Sequence, residues 1–172
     1  MVSPIVHPTA AMLKEIRLFT CFKDNELEEI LKMGKMEKKE AHSNVVIEGE
    51  PSWGLYLILD GVVGVFKNNK MSGETYEVGF LRAGNFFGEM SLVDENPRSA
   101  TVTALAEVTL FHIQKKDFQT FLARSTDLKM RFYESCIQDI VYRLRELGDN
   151  YVISQYQLWK TAIKKEKEKE AA

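Results

Sequence analysis

Apolar residues change their period along this chain, and each change predicts a different kind of element. After an opening that contains Pro4 and Pro8, the segment "DNELEEILKMG" carries acids at its start and a glycine at its end. It predicts a short helix with Asp24 as N-cap and Gly34 as the stop. From Asn44 to Ile113 the texture becomes a series of short β-rich runs: "NVVIEG", "LYLIL", "VVGVFK", "TYEVGFL", "ATVTAL" and "VTLFHI", with glycines between them. The segment "KKDFQTFLARS" returns to a helical pattern. From about Asp127 a seven-residue repeat takes over, with Tyr133, Ile137, Ile140, Leu144, Leu147, Tyr151, Ser154 and Leu158 spaced by alternating steps of four and three. Such a repeat is a seam suited to a partner helix. Gly148 falls within it, yet the seam stays in phase beyond, which favours one long helix over two. The tail "KKEKEKEAA" reads as a solvated, frayed end.

Regularly spaced short strands without intervening helices predict a closed or double-sheet β structure. The fold class expected is mainly β with flanking helices, a jelly-roll barrel with N-terminal helices and a long C-terminal helix. Residues 1–11 read as an arm, 12–126 as the β domain with its helical opening and short helix, and 127–172 as the closing helix with its charged tail. A length of 172 residues suits one such domain with an appendage.

Composition then narrows the function. The formal net charge of −2 offers no basic excess of the kind that a phosphate-backbone binder carries, so nucleic acid is not an expected partner. Cys21 and Cys136 lie far apart without metal-ligand spacing, which suits a reducing, cytoplasmic setting. No run approaches the length of a membrane helix, and the opening residues lack the pattern of a secretory signal. His7, His42 and His112 are too scattered to pair as metal ligands, so each is expected to be a core or surface histidine and no metal is expected. No nucleophile elbow or paired catalytic cysteine occurs, and no enzymatic activity is expected.

The chemistry concentrates between Gly84 and Ala104, in "GNFFGEMSLVDENPRSATVTA". Gly88 permits close backbone approach, and Met90, Ser91 and Leu92 can start a single helical turn whose amide groups face an anion. Nine positions after Glu89 stands Arg98, whose planar fork matches two phosphate oxygens, followed by Ser99 with a hydroxyl donor. Glu89 can only accept, and it would repel the same phosphate. It must serve a donor elsewhere on the ligand, such as a sugar hydroxyl.

These residues resemble the phosphate-binding cassette of the cyclic nucleotide-binding domain family, found in the catabolite activator protein, cyclic-nucleotide-dependent kinases and cyclic-nucleotide-gated channels. The motif is carried by Phe87, Gly88, Glu89, Met90, Ser91 and Leu92, then by Pro97, Arg98, Ser99 and Ala100. The segments "LFTCFKDNELEEIL", "VVIEGEPSWGLYLILDGVVGVF" and "VYRLREL" are similar to the family's helical opening, glycine-rich hairpin and closing helix, so the resemblance covers about four fifths of the chain. It implies that Glu89 accepts from the ribose 2′-hydroxyl and that Arg98 pairs with the cyclic phosphate. Main-chain groups of Gly88, Met90 and Ser91 would complete the cradle with Ser99 and Ala100, while Val65 and Val78 fall where the family lines the base pocket. The resemblance further implies a non-catalytic sensor for cAMP, with cGMP as the other candidate, that moves its C-terminal helix on binding. It also implies a homodimer through the helix bearing Ile137, Ile140, Leu144 and Leu147. The alternatives are a truncated transcriptional regulator of the activator family, from which a helix-turn-helix unit would be missing, and a ligand-free scaffold of the same fold.

Overall fold

The structure, a computed structural model, describes residues 7–94 and 96–170, the last seven by backbone alone. The expected arm therefore lies mostly outside the described residues. The chain begins with α1 (Ala10–Glu15), a 3-10 turn at Arg17–Phe19 and α2 (Asp24–Met33). Eight strands follow in place of the six runs expected: β1 (Lys35–Lys39), β2 (Asn44–Val46), β3 (Gly54–Asp60), β4 (Val62–Asn68), β5 (Thr75–Arg82), β6 (Phe86–Phe87), β7 (Thr101–Ala104) and β8 (Val108–Gln114). A single turn, α3 (Met90–Val93), interrupts them between β6 and β7, and α4 (Lys115–Leu122) and α5 (Thr126–Glu170) close the chain.

The strands pair antiparallel into two four-stranded sheets, ordered β1-β8-β3-β6 and β2-β7-β4-β5. Their inner faces meet in a core of Val46, Tyr56, Ile58, Val63, Phe87, Val102, Ala104, Val108 and Leu110, contributed by both sheets. This is the mainly β, jelly-roll-like fold that the spacing of short strands predicts.

Strand β1 escapes sequence reasoning because "KMEKK" has no apolar face of its own; it is an edge strand whose pairing with β8 runs from Lys35↔His112 to Lys39↔Val108. Charged residues on an edge are tolerated there, since one side of the strand stays open to water and lysines discourage further strand addition. Helix α2 also differs at its start: Lys23 is the N-cap and Asp24 the first helical residue. The side chain of Glu26 reaches back to accept the Lys23 backbone N–H at 2.7 Å. A carboxylate three residues into the helix thus satisfies the N–H of the capping residue itself, a different donor from the one an Asp24 cap would serve. Gly34 does end the helix, but with φ −87°, in ordinary extended backbone. A β-carbon at Gly34 would stand 2.0 Å from the Phe111 ring, so this glycine is a matter of clearance rather than of left-handed geometry.

On the outer side of the first sheet, Phe19, Phe22, Phe118, Phe121 and Phe132 interlock with ring centroids 5.1–6.4 Å apart. Phe132 belongs to the first turns of α5, so this cluster ties the helix start to the 3-10 turn, to the connection before α2 and to α4. Arg131 reinforces the tie: Nη2 bonds to Glu26 at 2.7 Å, Nε to Asp127 at 3.0 Å, and Nη1 to the Cys21 carbonyl.

The chain divides into two compact units between Ser135 and Cys136. The second is the remainder of α5, which runs without a break through Gly148, as the in-phase seam predicts. Its apolar positions Ile137, Ile140, Leu144, Leu147, Tyr151 and Leu158 are all exposed. Among the described residues no helix is long and apolar enough to cross a membrane, and no three His, Cys, Asp or Glu side chains cluster as a metal site.

Candidate functional site

Strand β6 is two residues long, and its pairing with β3, Tyr56↔Phe87 and Leu57↔Phe86, is what delivers the next residues to their place. Gly88 follows at φ +91°, a conformation that residues with a β-carbon rarely adopt. A β-carbon there would lie 2.4 Å from Arg98 Nη1 and 2.6 Å from the Gly54 carbonyl oxygen. Only a glycine lets the guanidinium pass so close to the chain. Glu89 then caps α3, as the expected single helical turn.

Arg98 is held from both ends. Its backbone N–H donates to Glu50 O at 2.8 Å and its carbonyl accepts from Gly49 N–H at 2.9 Å, so the turn after β2 clamps the residue as a two-bond bridge. The side chain is only 7% exposed. Its Nη2 donates to Gly54 O at 3.0 Å, while Nε and Nη1 are buried with no hydrogen-bond partner among the described residues. The carboxylate of Glu89, itself 5% exposed, acts on Arg98 electrostatically. Burial pushes the Arg98 guanidinium below its ordinary range, and the Tyr56 and Glu89 groups oppose that shift. A guanidinium nevertheless keeps its charge in a protein at neutral pH. Neither of the unmet N–H groups of Arg98 makes a hydrogen bond to Glu89, so both remain available to a ligand.

The structure brings Gly88, Glu89, Met90, Ser91, Arg98, Ser99 and Ala100 into one region around α3 and the start of β7. Their roles differ in detail. The Ser91 hydroxyl, nearly buried, donates to Gly88 O at 2.7 Å and accepts from Ser52 at 2.5 Å, so it shapes the turn and leaves its main-chain group as the donor. Ser99 is exposed, and its carbonyl accepts from Lys67 Nζ at 2.9 Å. Met90 is half exposed. Val65 packs partly buried against the inter-sheet core. Val78 stands at a bulge, where the pairing of β4 with β5 jumps from Gly79 to Glu77, and it is 58% exposed.

Several residues of the site had no signal in the sequence. Gly54 supplies the carbonyl that holds Arg98, and Tyr56 lies beneath it, with Arg98 Cζ 5.6 Å from the ring centroid. Both sit on β3, more than forty residues from Arg98, and nothing in "WGLYLIL" distinguishes them from ordinary strand residues. His112, expected to be core or surface, is mostly buried and bonded through Nδ1 to Glu37 at 3.0 Å.

A buried guanidinium with two unmet N–H groups can donate to an anion, and a buried carboxylate at the next turn can accept from a hydroxyl. Comparison with known proteins agrees with this chemistry. The family model described as "Cyclic nucleotide-binding domain" matches residues 36–125. The chain is 31% identical over 126 residues to a cAMP-dependent protein kinase regulatory subunit of Aspergillus niger, covering 73% of this chain and 30% of the relative. It is 35% identical over 105 residues to one of Blastocladiella emersonii, covering 60% and 26%. It therefore spans under a third of the length of these curated relatives. The catabolite activator protein of Thermus thermophilus matches in structure with a TM-score of 0.66 and 25% identity, over 77% of this chain and 60% of that one. With the family motif, the paired sheets and the buried arginine in agreement, this chain belongs to the cyclic nucleotide-binding domain family.

Proposed function

We propose that this domain is a non-catalytic, cytoplasmic sensor of cAMP, in which Arg98 receives the cyclic phosphate and Glu89 the ribose 2′-hydroxyl. The observation that carries the reading is the Arg98 guanidinium, buried with Nε and Nη1 unpartnered. Leaving charged donors unsatisfied in a desolvated place costs free energy, and a bound phosphate relieves that cost with charge-assisted bonds. Relatives that are named cAMP-dependent regulatory subunits favour cAMP over cGMP. In this reading Gly88, Met90, Ser91, Ser99 and Ala100 surround the phosphate, and Val65 and Val78 approach the base. Binding shifts the population of the C-terminal helix, which carries the signal onward. Calorimetric titration with cAMP and cGMP tests the proposal, and absence of heat with both overturns it.

The Glu89 role has its own test. Glu89→Ala weakens cAMP by about tenfold, in line with a lost charge-assisted bond of about 1.5 kcal/mol, and leaves the affinity for 2′-deoxy-cAMP nearly unchanged. Equal losses for both ligands would refute the assignment.

The same reading makes the protein a homodimer through α5. Ile137 is 60% exposed, Ile140 45%, Leu144 65% and Leu147 64%, and they share the heptad seam. Sedimentation equilibrium should give a dimer for the native chain and a monomer for Leu144→Glu; a native monomer at tens of micromolar rejects it.

A further inference from the structure

Beneath Arg98 the inner face of the first sheet carries a column of rings that the binding reading leaves without a purpose. The Tyr56 ring is stacked between Phe87, at 5.0 Å and 7° between planes, and His112, at 4.3 Å and 6°. Register explains the column: Tyr56 pairs with Phe87 on one side and with His112 on the other. The Arg98 guanidinium carbon is 5.6 Å from the centre of that same tyrosine. Arginine and imidazole are thus at most about 10 Å apart, within one Debye length at 0.1 M salt, and both are largely shielded from water.

His112 is poised to change charge. Glu37 accepts from Nδ1 and so keeps a proton there, while Nε2 is buried without a hydrogen-bond partner among the described residues. Nε2 is therefore the atom that gains or loses the proton. It lies beside Gly54, the residue whose carbonyl holds Arg98 Nη2. The charged and titratable groups that act on the imidazole are Glu37 and Lys39 from β1, Tyr56 from β3 and Arg98 from the cassette; Lys35 is its cross-strand partner. Burial holds the imidazole below the ordinary histidine range; Glu37 pulls it up, and Arg98 and Lys39 push it down.

Resting on the cyclic nucleotide reading, we infer that His112 is a positioning residue that couples proton uptake to anion affinity at Arg98, so that the site holds a cyclic phosphate more tightly as pH falls. The physical reason is reciprocity. A phosphate on Arg98 cancels the positive charge that opposes protonation of His112, and a protonated His112 adds positive potential where the phosphate sits. The sign follows: the ligand raises the His112 midpoint, and affinity rises as pH falls through the interval between the free and bound midpoints.

The test is a histidine side-chain NMR titration of the whole chain from pH 5 to 9, with the His112 signal assigned by its loss in His112→Gln. The His112 midpoint is expected to rise by about half a pH unit in Arg98→Gln, and again when native protein is saturated with cAMP. Calorimetry should show cAMP bound about threefold more tightly at a pH below the free His112 midpoint found in that titration than at pH 8, the same half unit expressed as affinity, with no such ratio in His112→Gln. A midpoint that does not move in Arg98→Gln overturns the coupling. That arm needs no ligand, so a protein that binds no cyclic nucleotide would sink the functional reading while His112 still stands or falls by its own titration.

Discussion

Arg98→Met is expected to lower cAMP affinity by at least about tenfold while leaving the ligand-free protein as stable as before, or more so. The two effects separate because Arg98 contributes differently to the two states. Without ligand, the guanidinium is desolvated, makes one hydrogen bond to Gly54 O and leaves Nε and Nη1 unmet. An unbranched apolar side chain of similar length fills the same space without that desolvation cost. With ligand, the missing groups would have made charge-assisted bonds to phosphate, each worth about 1.5–3 kcal/mol, so even one lost bond is about tenfold in affinity. Arg98→Lys should lose affinity as well, because a point charge cannot span two phosphate oxygens with a planar fork. Calorimetry gives the affinity, and thermal melts with and without cAMP give the stability. Retained affinity, or a variant that melts well below the native chain in the absence of ligand, contradicts this account.

Gly88→Ala should damage both properties. The added β-carbon meets a backbone at φ +91°, where strain costs about 1–3 kcal/mol, and it would also stand 2.4 Å from Arg98 Nη1 and 2.6 Å from Gly54 O. The guanidinium can swing aside, but the Gly54 carbonyl belongs to β3 and cannot easily move. A drop in melting temperature of several degrees is expected for a chain of this size, together with a fall in cAMP affinity as Arg98 is displaced. Combining Gly88→Ala with Arg98→Met separates the two clashes. The double variant should recover part of the lost stability, since the Nη1 contact disappears while the backbone strain remains. Strict additivity of the two single effects would show that the arginine contact is not where the cost arises.

The two variants also mark what could be read along the chain and what could not. Glu89 and Arg98 announce themselves through residue type and setting, since an acid directly after Gly88 and an arginine directly after Pro97, in a β-rich stretch, serve no ordinary strand or turn. The β-rich runs likewise carry their own signal, because alternation and glycine punctuation are local properties. Strand β1 was missed because an edge strand needs little apolar content, and the N-cap is Lys23 rather than Asp24, with Glu26 reaching back to its N–H, because capping is decided by which side chain reaches a free N–H. Gly34 was placed correctly at a helix end for a reason that no local pattern contains, namely the Phe111 ring seventy-seven residues later.

By itself the sequence determined the fold class, the continuous seam of α5 and the identity of the motif that bears the charge, because each depends on periods and residue types within a few positions of one another. The tertiary structure alone decided that Arg98 is buried with two donors unmet, that Gly54 holds it, and that Tyr56 and His112 stand beneath it. Those facts come from strands paired across forty to sixty residues of chain. Burial and hydrogen-bond satisfaction are properties of what packs around a group, and in a fold of non-local antiparallel pairs the surroundings are set by register, which no short stretch of sequence records.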